Sequence, residues 1–555
     1  MKPDRRSLAT FPRSIATLLK PYLPGKPAEI QASGGTILKP YLPDPTTGWR
    51  RFRAWALLAA VVLFCLPYGF FFGLFAPYLM APFAAPVLIL ACLAIWALPD
   101  MRQAPTRTLE GLYWAFLLAL ILWPNYLAIA LPGLPWITLT RLISFPIAVI
   151  LLICVSVSSK FRSREARALD GAPLVWICIT GFAVIQVLTI AASSYPMQSI
   201  QRVFNSQVSW TAIFFASSFL FLKPGRMQAW AALVWASAVV VGLIGVWEHH
   251  YEHPPWADHI PGFLAVQDET VARILAGSFR EDSQQYRVQS TFSTPLGLSE
   301  YEALALPFVL QFIIGRYSGF VRGLAAASAP FMVYVIMLTD SRLGLVGAFL
   351  TAGLFVLYWG VRRWRYVKNS LLGPSIVLAY PLIVAAMISV AMFSGRIRSR
   401  LIDGQYASSN EGRKEMYTKG FNLILKHPWG FGSGVGAENL GYTNSAGMLT
   451  IDTYYVAIAL DYGILGFIFY YGAILSAMHY AGRQAFSSSN ENRDSLFLGP
   501  LAISLASFFV IKSVFSNEDN HPLAFMMMGA VAALCARLKQ TKRGPGSAES
   551  FSRFS

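Results

Sequence analysis

Charge is what this chain has least of. Asp, Glu, Lys and Arg together make up 13% of its 555 residues, against 55% hydrophobic, and the mean hydropathy is +0.49. A water-soluble globular protein of this length does not have such a composition. Acidic residues are the scarcer sign, 28 against 45 Lys and Arg, which leaves a net charge of +17. Cysteine is scarce too. Cys65, Cys92, Cys154, Cys178 and Cys535 sit in or beside apolar runs with no paired spacing, so they read as small hydrophobes and neither a disulfide framework nor a zinc site follows from them. The first 53 residues lack the apolar core of a secretory signal.

What is present instead is a series of apolar runs of about 17–25 residues, each long enough to cross roughly 30 Å of hydrocarbon. They predict an all-α polytopic integral membrane protein with about fourteen spans. The centres fall near Leu63, Ile89, Leu120, Ala148, Val184, Phe215, Val239, Pro307, Val333, Leu350, Ala385, Ile464, Ser507 and Met528. Placing the N-terminus in the cytoplasm puts the Lys and Arg clusters inside: Arg50 to Arg53, Lys160 to Arg167, Arg362 to Lys368 and Arg537 to Arg543 among them. The short opposite loops are nearly free of both, as the positive-inside rule requires. Both termini are then cytoplasmic and the span number even. The chain divides into a cytoplasmic basic, Pro-containing tail at 1–53, a membrane domain at 54–538 and a basic tail at 539–555.

The N-terminal tail repeats Leu19-Lys20-Pro21-Tyr22-Leu23-Pro24 as Leu38-Lys39-Pro40-Tyr41-Leu42-Pro43. A linear docking motif and a disordered basic tail near anionic lipid both account for it. The second is preferred, because six matching residues specify little.

Two long loops fall on the outer, periplasmic face. Residues 248–298 carry seven Asp and Glu against three Arg, while residues 394–452 carry seven Lys and Arg against five acidic residues. Opposite charge suggests that the two pack as one cap. Positive charge is normally scarce on that face, and a membrane-bound anion is the first explanation for a basic loop there. Arg342, in Thr339-Asp340-Ser341-Arg342-Leu343-Gly344, reads either as a snorkelling residue of a tight turn or as a guanidinium held at the interface to fork onto phosphate oxygens. Arg202 stands similarly beside the sixth span, whereas Arg141 reads as a partner for backbone carbonyls.

From Arg413 the spacing is helical. Met416, Gly420, Leu423 and Ile424 share one face, with Arg413 and Tyr417 on the next stripe. This is either a helix lying on the membrane surface or one that presents an arginine to phosphate. His427-Pro428 ends it, and glycines at 430, 432, 434 and 436 allow a tight loop with the makings of an anion nest. The run Glu248-His249-His250-Tyr251-Glu252-His253 invites a metal reading, but the following proline pair and the lack of a ligand set favour a polar loop.

These pieces together resemble the O-antigen ligase and Wzy-type polysaccharide polymerase superfamily of bacterial envelopes. The likeness is good from about Gln289 to Phe467. It rests on Thr291-Phe292-Ser293-Thr294-Pro295, on Thr339-Asp340-Ser341-Arg342, and on Arg413 and Tyr417 before His427-Pro428-Trp429-Gly430-Phe431-Gly432. Asp452-x-x-Tyr455 with Asp461-Tyr462-Gly463-Ile464-Leu465-Gly466 completes it. The resemblance implies a GT-C-like helical fold in the bacterial inner membrane and inverting, metal-independent glycosyl transfer at the periplasmic face, with no cofactor. The donor glycan would hang from undecaprenyl diphosphate and an acceptor sugar hydroxyl would attack its anomeric carbon.

Carried onto this chain, the resemblance implies that Arg342, Arg413 and Arg202 neutralise the diphosphate. Asp452 would serve as base or acceptor-orienting group, with His427 as the other catalytic candidate and Tyr417, Tyr455 and Glu438 around the acceptor. Partners would be the undecaprenyl-diphosphate-linked oligosaccharide, membrane lipid and a chain-length regulator, with no nucleic acid. Ligases of the family commonly have histidine then asparagine where this chain has Asp452 and Thr453. An aspartate there is closer to the exopolysaccharide-polymerase branch, although the asparagine common in that branch is missing as well. Transfer to a lipid core or to a protein hydroxyl are the alternatives within the superfamily. A lipid-linked oligosaccharide flippase is the alternative outside it, disfavoured because the charge is mostly in outer loops and little of it (Arg141, Glu300, Glu302, Lys512) within spans.

Overall fold

In the computed structural model the described residues are 104–130, 136–279, 285–367, 369–393, 407–443, 449–487 and 493–542, with scattered residues between 56 and 98. Two compact units divide the chain, Met1–Ala76 and Pro77–Ser555, and the long helices belong to the second. The N-terminal tail with its repeated hexapeptide, the C-terminal tail beyond Lys542, and Arg396, Arg398 and Arg400 lie outside the described residues.

The protein is an all-α polytopic membrane protein. The first half of the bundle comprises α1 (Thr106–Leu122), α2 (Leu139–Val157), α3 (Ser159–Leu169), α4 (Pro173–Leu188), α5 (Pro196–Ser206), α6 (Ala212–Leu220), α7 (Arg226–Tyr251) and the short α8 (Glu269–Leu275). It continues with α9 (Pro295–Ile314), α10 (Gly319–Leu338), α11 (Arg342–Tyr366), α12 (Leu372–Phe393), α13 (Ala407–Lys426), α14 (Gly436–Leu440), α15 (Tyr454–Ser487), α16 (Leu498–Lys512) and α17 (His521–Lys542). Two antiparallel two-residue ladders, Ala128–Ile129 with Ile137–Thr138 and Ser278–Phe279 with Tyr286–Arg287, tie connections between helices together. Helix starts follow from local chemistry. Thr294 and Ser341 accept the amides of Gly297 and Gly344 at 3.1 and 3.2 Å, and Pro295 occupies the first position of α9, where no donor is lost.

Ten helices among the described residues are long and apolar enough to cross a membrane, and each contains one of the expected centres. The other four centres fare differently. The stretch around Leu63 and Ile89 is described only at scattered residues. The helix around Leu120 has 17 residues. At Phe215 the expected single span is two helices, α5 and α6, joined by a π-helical turn at Gln207–Thr211. Its polar residues explain the break. Gln207 Nε2 and Ser206 Oγ both donate to Gln186 Oε1 on α4, at 2.7 and 3.2 Å, and Ser209 Oγ donates back to the Asn205 carbonyl.

Helices α9 and α17 form the centre, with 83% and 89% of their most apolar windows buried, against 6% for α12 at the periphery. The two ends of the bundle differ in charge chemistry. At one end Glu110 takes both Lys223 and Arg226, at 2.6 and 2.5 Å. Asp494 takes Arg537 at 2.7 Å and the amides of Gly225 and Gln228. At the other end Glu248, the last-turn carboxylate of α7, is buried and accepts from Tyr286 Oη and the amides of Gln289 and Ser290. Arg141 there donates to the Trp136 carbonyl at 2.7 Å and to Asn205 at 3.0 Å, a structural role in keeping with its sequence context.

The two long loops do not share one core among the described residues. Val271, Trp256 and Ile274 of the first pack on Tyr126 and Leu127, while Met416, Leu440 and Ile451 of the second pack on Val456 and Leu460 of α15. The apolar face of α13 is therefore turned onto protein, which replaces the expectation of a helix lying on lipid.

Inside the bundle Lys512 Nζ lies 3.0 Å from Glu300, with both side chains inaccessible to solvent. Asn520 Nδ2 donates to the same carboxylate at 3.0 Å, and the ammonium also donates to the Asn517 carbonyl. Removing one partner strands the other charge. Lys512→Met is expected to destabilise the protein by about 3–5 kcal/mol, and the double change Glu300→Gln, Lys512→Met to recover most of that. Thermal unfolding of the purified variants in detergent measures both, and a double variant less stable than Lys512→Met contradicts the pairing.

Candidate active site

The site is built around a broken helix. Gly463, ten residues into α15, has φ 68° and ψ −173°, a conformation essentially restricted to glycine. A break frees backbone groups that a continuous helix would satisfy internally. The loop after His427 takes them up. Phe431 N donates to the Leu460 carbonyl at 2.8 Å and Gly432 N to the Asp461 carbonyl at 2.9 Å, while Ile464 N donates to the Pro428 carbonyl at 2.9 Å. A Cβ at Gly463 would collide with the Pro428 carbonyl and the Trp429 backbone.

The glycine loop does form a nest, but the protein fills it itself. Both oxygens of Asp461 accept from it, from Gly434 N at 2.8 Å and Gly436 N at 2.9 Å. Ser433 bonds Tyr462 Oη at 2.7 Å, and its carbonyl accepts from Ser199 of α5. Gly434, with φ +80°, leaves the space in which the Arg202 guanidinium lies. Arg202 is thus fixed against the basic loop, although more than 200 residues separate them.

Arg202 also faces a polar floor made by the connection between α16 and α17. Asp519 Oδ2 accepts from Ser293 Oγ at 2.6 Å and Asn517 Nδ2 at 2.9 Å. Asn517 donates in turn to Thr294 Oγ1 at 3.0 Å. Glu518 accepts from Tyr454 Oη at 3.4 Å. Protein surrounds Glu518, yet its side chain stays open to solvent, which puts it at the bottom of a cleft. Desolvation raises its carboxyl above the ordinary glutamate range, opposed by the Arg202 and Lys512 charges and the Tyr454 hydroxyl. Behind this floor His521 stacks on Trp210 of the π-turn with centroids 4.8 Å apart, so the break between α5 and α6 and the start of α17 are packed together.

The residues singled out in the sequence fall in two groups. Tyr417 Oη donates to the Ser513 carbonyl at 2.6 Å and accepts from Thr453 Oγ1 at 3.0 Å, joining α13, α15 and α16. Asp452 is held beside it: its amide donates to Met416 Sδ at 3.4 Å and its Oδ1 accepts from Thr450 Oγ1 at 3.3 Å. Helix α15 begins at Tyr454, so Thr453 and not Asp452 occupies the capping position. Tyr455 Oη donates to the Phe509 carbonyl. Arg413 stands one turn before Tyr417 on α13, and Arg342 at the first position of α11. His427, exposed and 4.6 Å from the Phe431 ring, and Glu438, exposed on α14, belong to the outer rim of the loop.

Glu518, Asn517 and Asp519 were missed in the sequence. Their signal was there, in the uninterrupted polar run Ser516-Asn517-Glu518-Asp519-Asn520-His521 between two apolar spans.

Asp461→Ala leaves the amides of Gly434 and Gly436 without acceptors, each costing about 1–3 kcal/mol. The expected result is faster proteolytic cleavage between Trp429 and Gly441 in the purified protein, with no such change for Asp452→Asn. Equal cleavage rates for Asp461→Ala and wild type contradict this role.

Residues 327–471 match the family model for O-antigen ligase, about a quarter of the chain, from the middle of α10 to just past the break in α15. Among curated proteins, none matched the sequence. The matched segment contains Arg342, Arg413, Tyr417, Asp452, Tyr455, the glycine loop and Asp461, while Arg202, Lys512 and Glu518 come from outside it. The resemblance to the O-antigen ligase and Wzy-type superfamily is thereby shown, carried by residues 327–471.

Proposed function

We propose that the protein is a polysaccharide polymerase of the bacterial inner membrane. It transfers glycan from an undecaprenyl-diphosphate donor to an acceptor sugar hydroxyl on the periplasmic face. The observation that carries this reading is the meeting of the family-matched basic helix α13 with the polar cleft at the outer end, through Tyr417, Thr453 and Ser513. In the reaction the acceptor oxygen bonds to the anomeric carbon with inversion, the bond from that carbon to the diphosphate oxygen breaks, and the hydroxyl proton passes to a base. The lipid diphosphate already leaves readily, so the protein has two tasks. Arginines neutralise the departing charge, and the acceptor is held in line.

Arg342, Arg413 and Arg202 are the proposed diphosphate ligands and Asp452 the proposed base. The Asp452-Thr453 pair, in place of histidine-asparagine, favours chain extension over transfer to a lipid core. Glu518 is a second candidate base. Its raised carboxyl, open to the cleft and flanked by Arg202, has the properties general-base work needs.

In a chain-extension assay with purified protein and undecaprenyl-diphosphate-linked repeat units, Arg342→Ala and Arg413→Ala are expected to lose activity. Their lysine counterparts should be rescued poorly, because a point charge does not fork onto two oxygens. Asp452→Asn is expected to lose turnover by about two to four orders of magnitude while still binding donor. Near wild-type turnover of Asp452→Asn, with loss in Glu518→Gln, transfers the base role to Glu518. Release of single-unit transfer products onto a lipid-core acceptor, without chain growth, selects the ligase reading.

The orientation is tested in a cysteine-free background. Single cysteines at Gly262 and Lys414 are expected to react with a membrane-impermeant thiol reagent once the outer membrane is permeabilised. A cysteine at Ser163, exposed on α3, should react only after the inner membrane is opened. The reverse pattern overturns the assignment of catalysis to the periplasmic face.

A further inference from the structure

The last carbonyls of a helix have no later turn to take them up and must find donors elsewhere. At the end of α16 two tyrosyl hydroxyls from other helices supply them. Tyr455 Oη of α15 donates to the Phe509 carbonyl at 2.9 Å. Tyr417 Oη of α13 donates at 2.6 Å to the carbonyl of Ser513, the residue that ends α16. Tyr417 does more than Tyr455, because its oxygen also accepts from Thr453 Oγ1 at 3.0 Å. The Thr453 side chain is fully buried, so its hydroxyl needs that acceptor.

One residue earlier on each side, the Asp452 amide donates to Met416 Sδ at 3.4 Å, and Met416 is buried. Two successive residues of α13 therefore hold two successive residues just ahead of α15. Arg413 lies four residues before Tyr417, one turn back on the same helix, and Asp452 is the residue before Thr453. The Tyr417 hydroxyl thus stands between the segment that carries Arg413 and the segment that carries Asp452.

We propose that Tyr417 is a positioning residue whose hydroxyl clamps α13 to Thr453 and Ser513 and so fixes Arg413 relative to Asp452. The inference rests on the diphosphate and base roles proposed above. It commits the hydroxyl to the protein and not to the acceptor sugar, since its proton goes to the Ser513 carbonyl and its oxygen takes the proton of Thr453. Glycosyl transfer needs the departing diphosphate and the attacking hydroxyl in line, and a misplacement of about 1 Å costs about 100-fold in rate. A phenol suits the task, being rigid along its length and both donor and acceptor at its tip. The Tyr417 side chain is partly exposed, so phenylalanine fits in its place and removes the two bonds alone.

The test uses the purified full-length protein in detergent and two measurements. Amide hydrogen exchange over residues 413–426 is expected to rise about tenfold in Tyr417→Phe, and less in Thr453→Val, which removes one bond of the two. Undecaprenyl diphosphate is expected to bind about fivefold more weakly to Tyr417→Phe, with no further loss when the same change is made in Arg413→Ala, because it acts through Arg413. Tyr366→Phe removes a like bond, to the Phe486 carbonyl at 2.7 Å, at the far end of α11 from Arg342. It should leave both measurements as in wild type. If Tyr417→Phe does not accumulate, Thr453→Val carries both. Unchanged exchange overturns the clamp. Unchanged lipid binding, or an equal loss with and without Arg413, overturns the positioning role. Weaker binding of a soluble acceptor glycan, with lipid binding unchanged, assigns Tyr417 to the acceptor instead. If wild type binds no undecaprenyl diphosphate, the proposed function fails, and the exchange measurement still decides the clamp.

Discussion

A helix that breaks inside a membrane protein must find new partners for the backbone groups it frees, and in this protein that requirement organises the candidate site. The break at Gly463 exposes the carbonyls of Leu460 and Asp461 and the amide of Ile464, and the loop from Pro428 to Gly432 satisfies all three. Once the loop is fixed there, Gly434 and Gly436 point their amides at the Asp461 carboxylate, and Arg202 lies over Gly434. The position of an arginine on α5 therefore depends on a glycine ten residues into α15. The break is buried against that loop, in keeping with the rule that irregular backbone at membrane depth lines a cavity or is buried in protein.

The second constraint is the cost of charge in an apolar bundle. Lys512 and Glu300 meet that cost by pairing with each other and with Asn520 and the Asn517 carbonyl, and in doing so they anchor the polar connection that carries Glu518 and Asp519. At the candidate site Glu518 and Asp519 stand beside Arg202, a mixture of acid and base that suits proton transfer beside a departing diphosphate in the proposed reaction.

Much of this was legible in the sequence because the bilayer restricts what a span is made of. Ten expected span centres lie in helices of the right length, and the helical stripe of Met416, Gly420, Leu423 and Ile424 was readable from spacing alone. The turn at Ser341, the helix end at His427-Pro428 and the tight glycine loop follow from residue chemistry in the same way, since caps, prolines and glycines act within a few residues. The α5–α6 break was not legible. Phe215 sits in a run apolar enough to pass for one span, and only the hydrogen bonds of Ser206 and Gln207 to Gln186 on another helix interrupt it.

The site divides along the same line. Sequence alone determined the class of protein, its basic loop segment and the residue types available there, because hydropathy, charge and local backbone preference are carried by each residue and its near neighbours. Tertiary structure decided that the glycine nest is filled by Asp461 and that Arg202 stands against the loop. It also decided that α13 packs on α15, and that Glu518 lies at the floor of the cleft. Each of these depends on a pair of residues distant in the chain, and no periodicity or motif in one segment specifies which other segment will supply its partner.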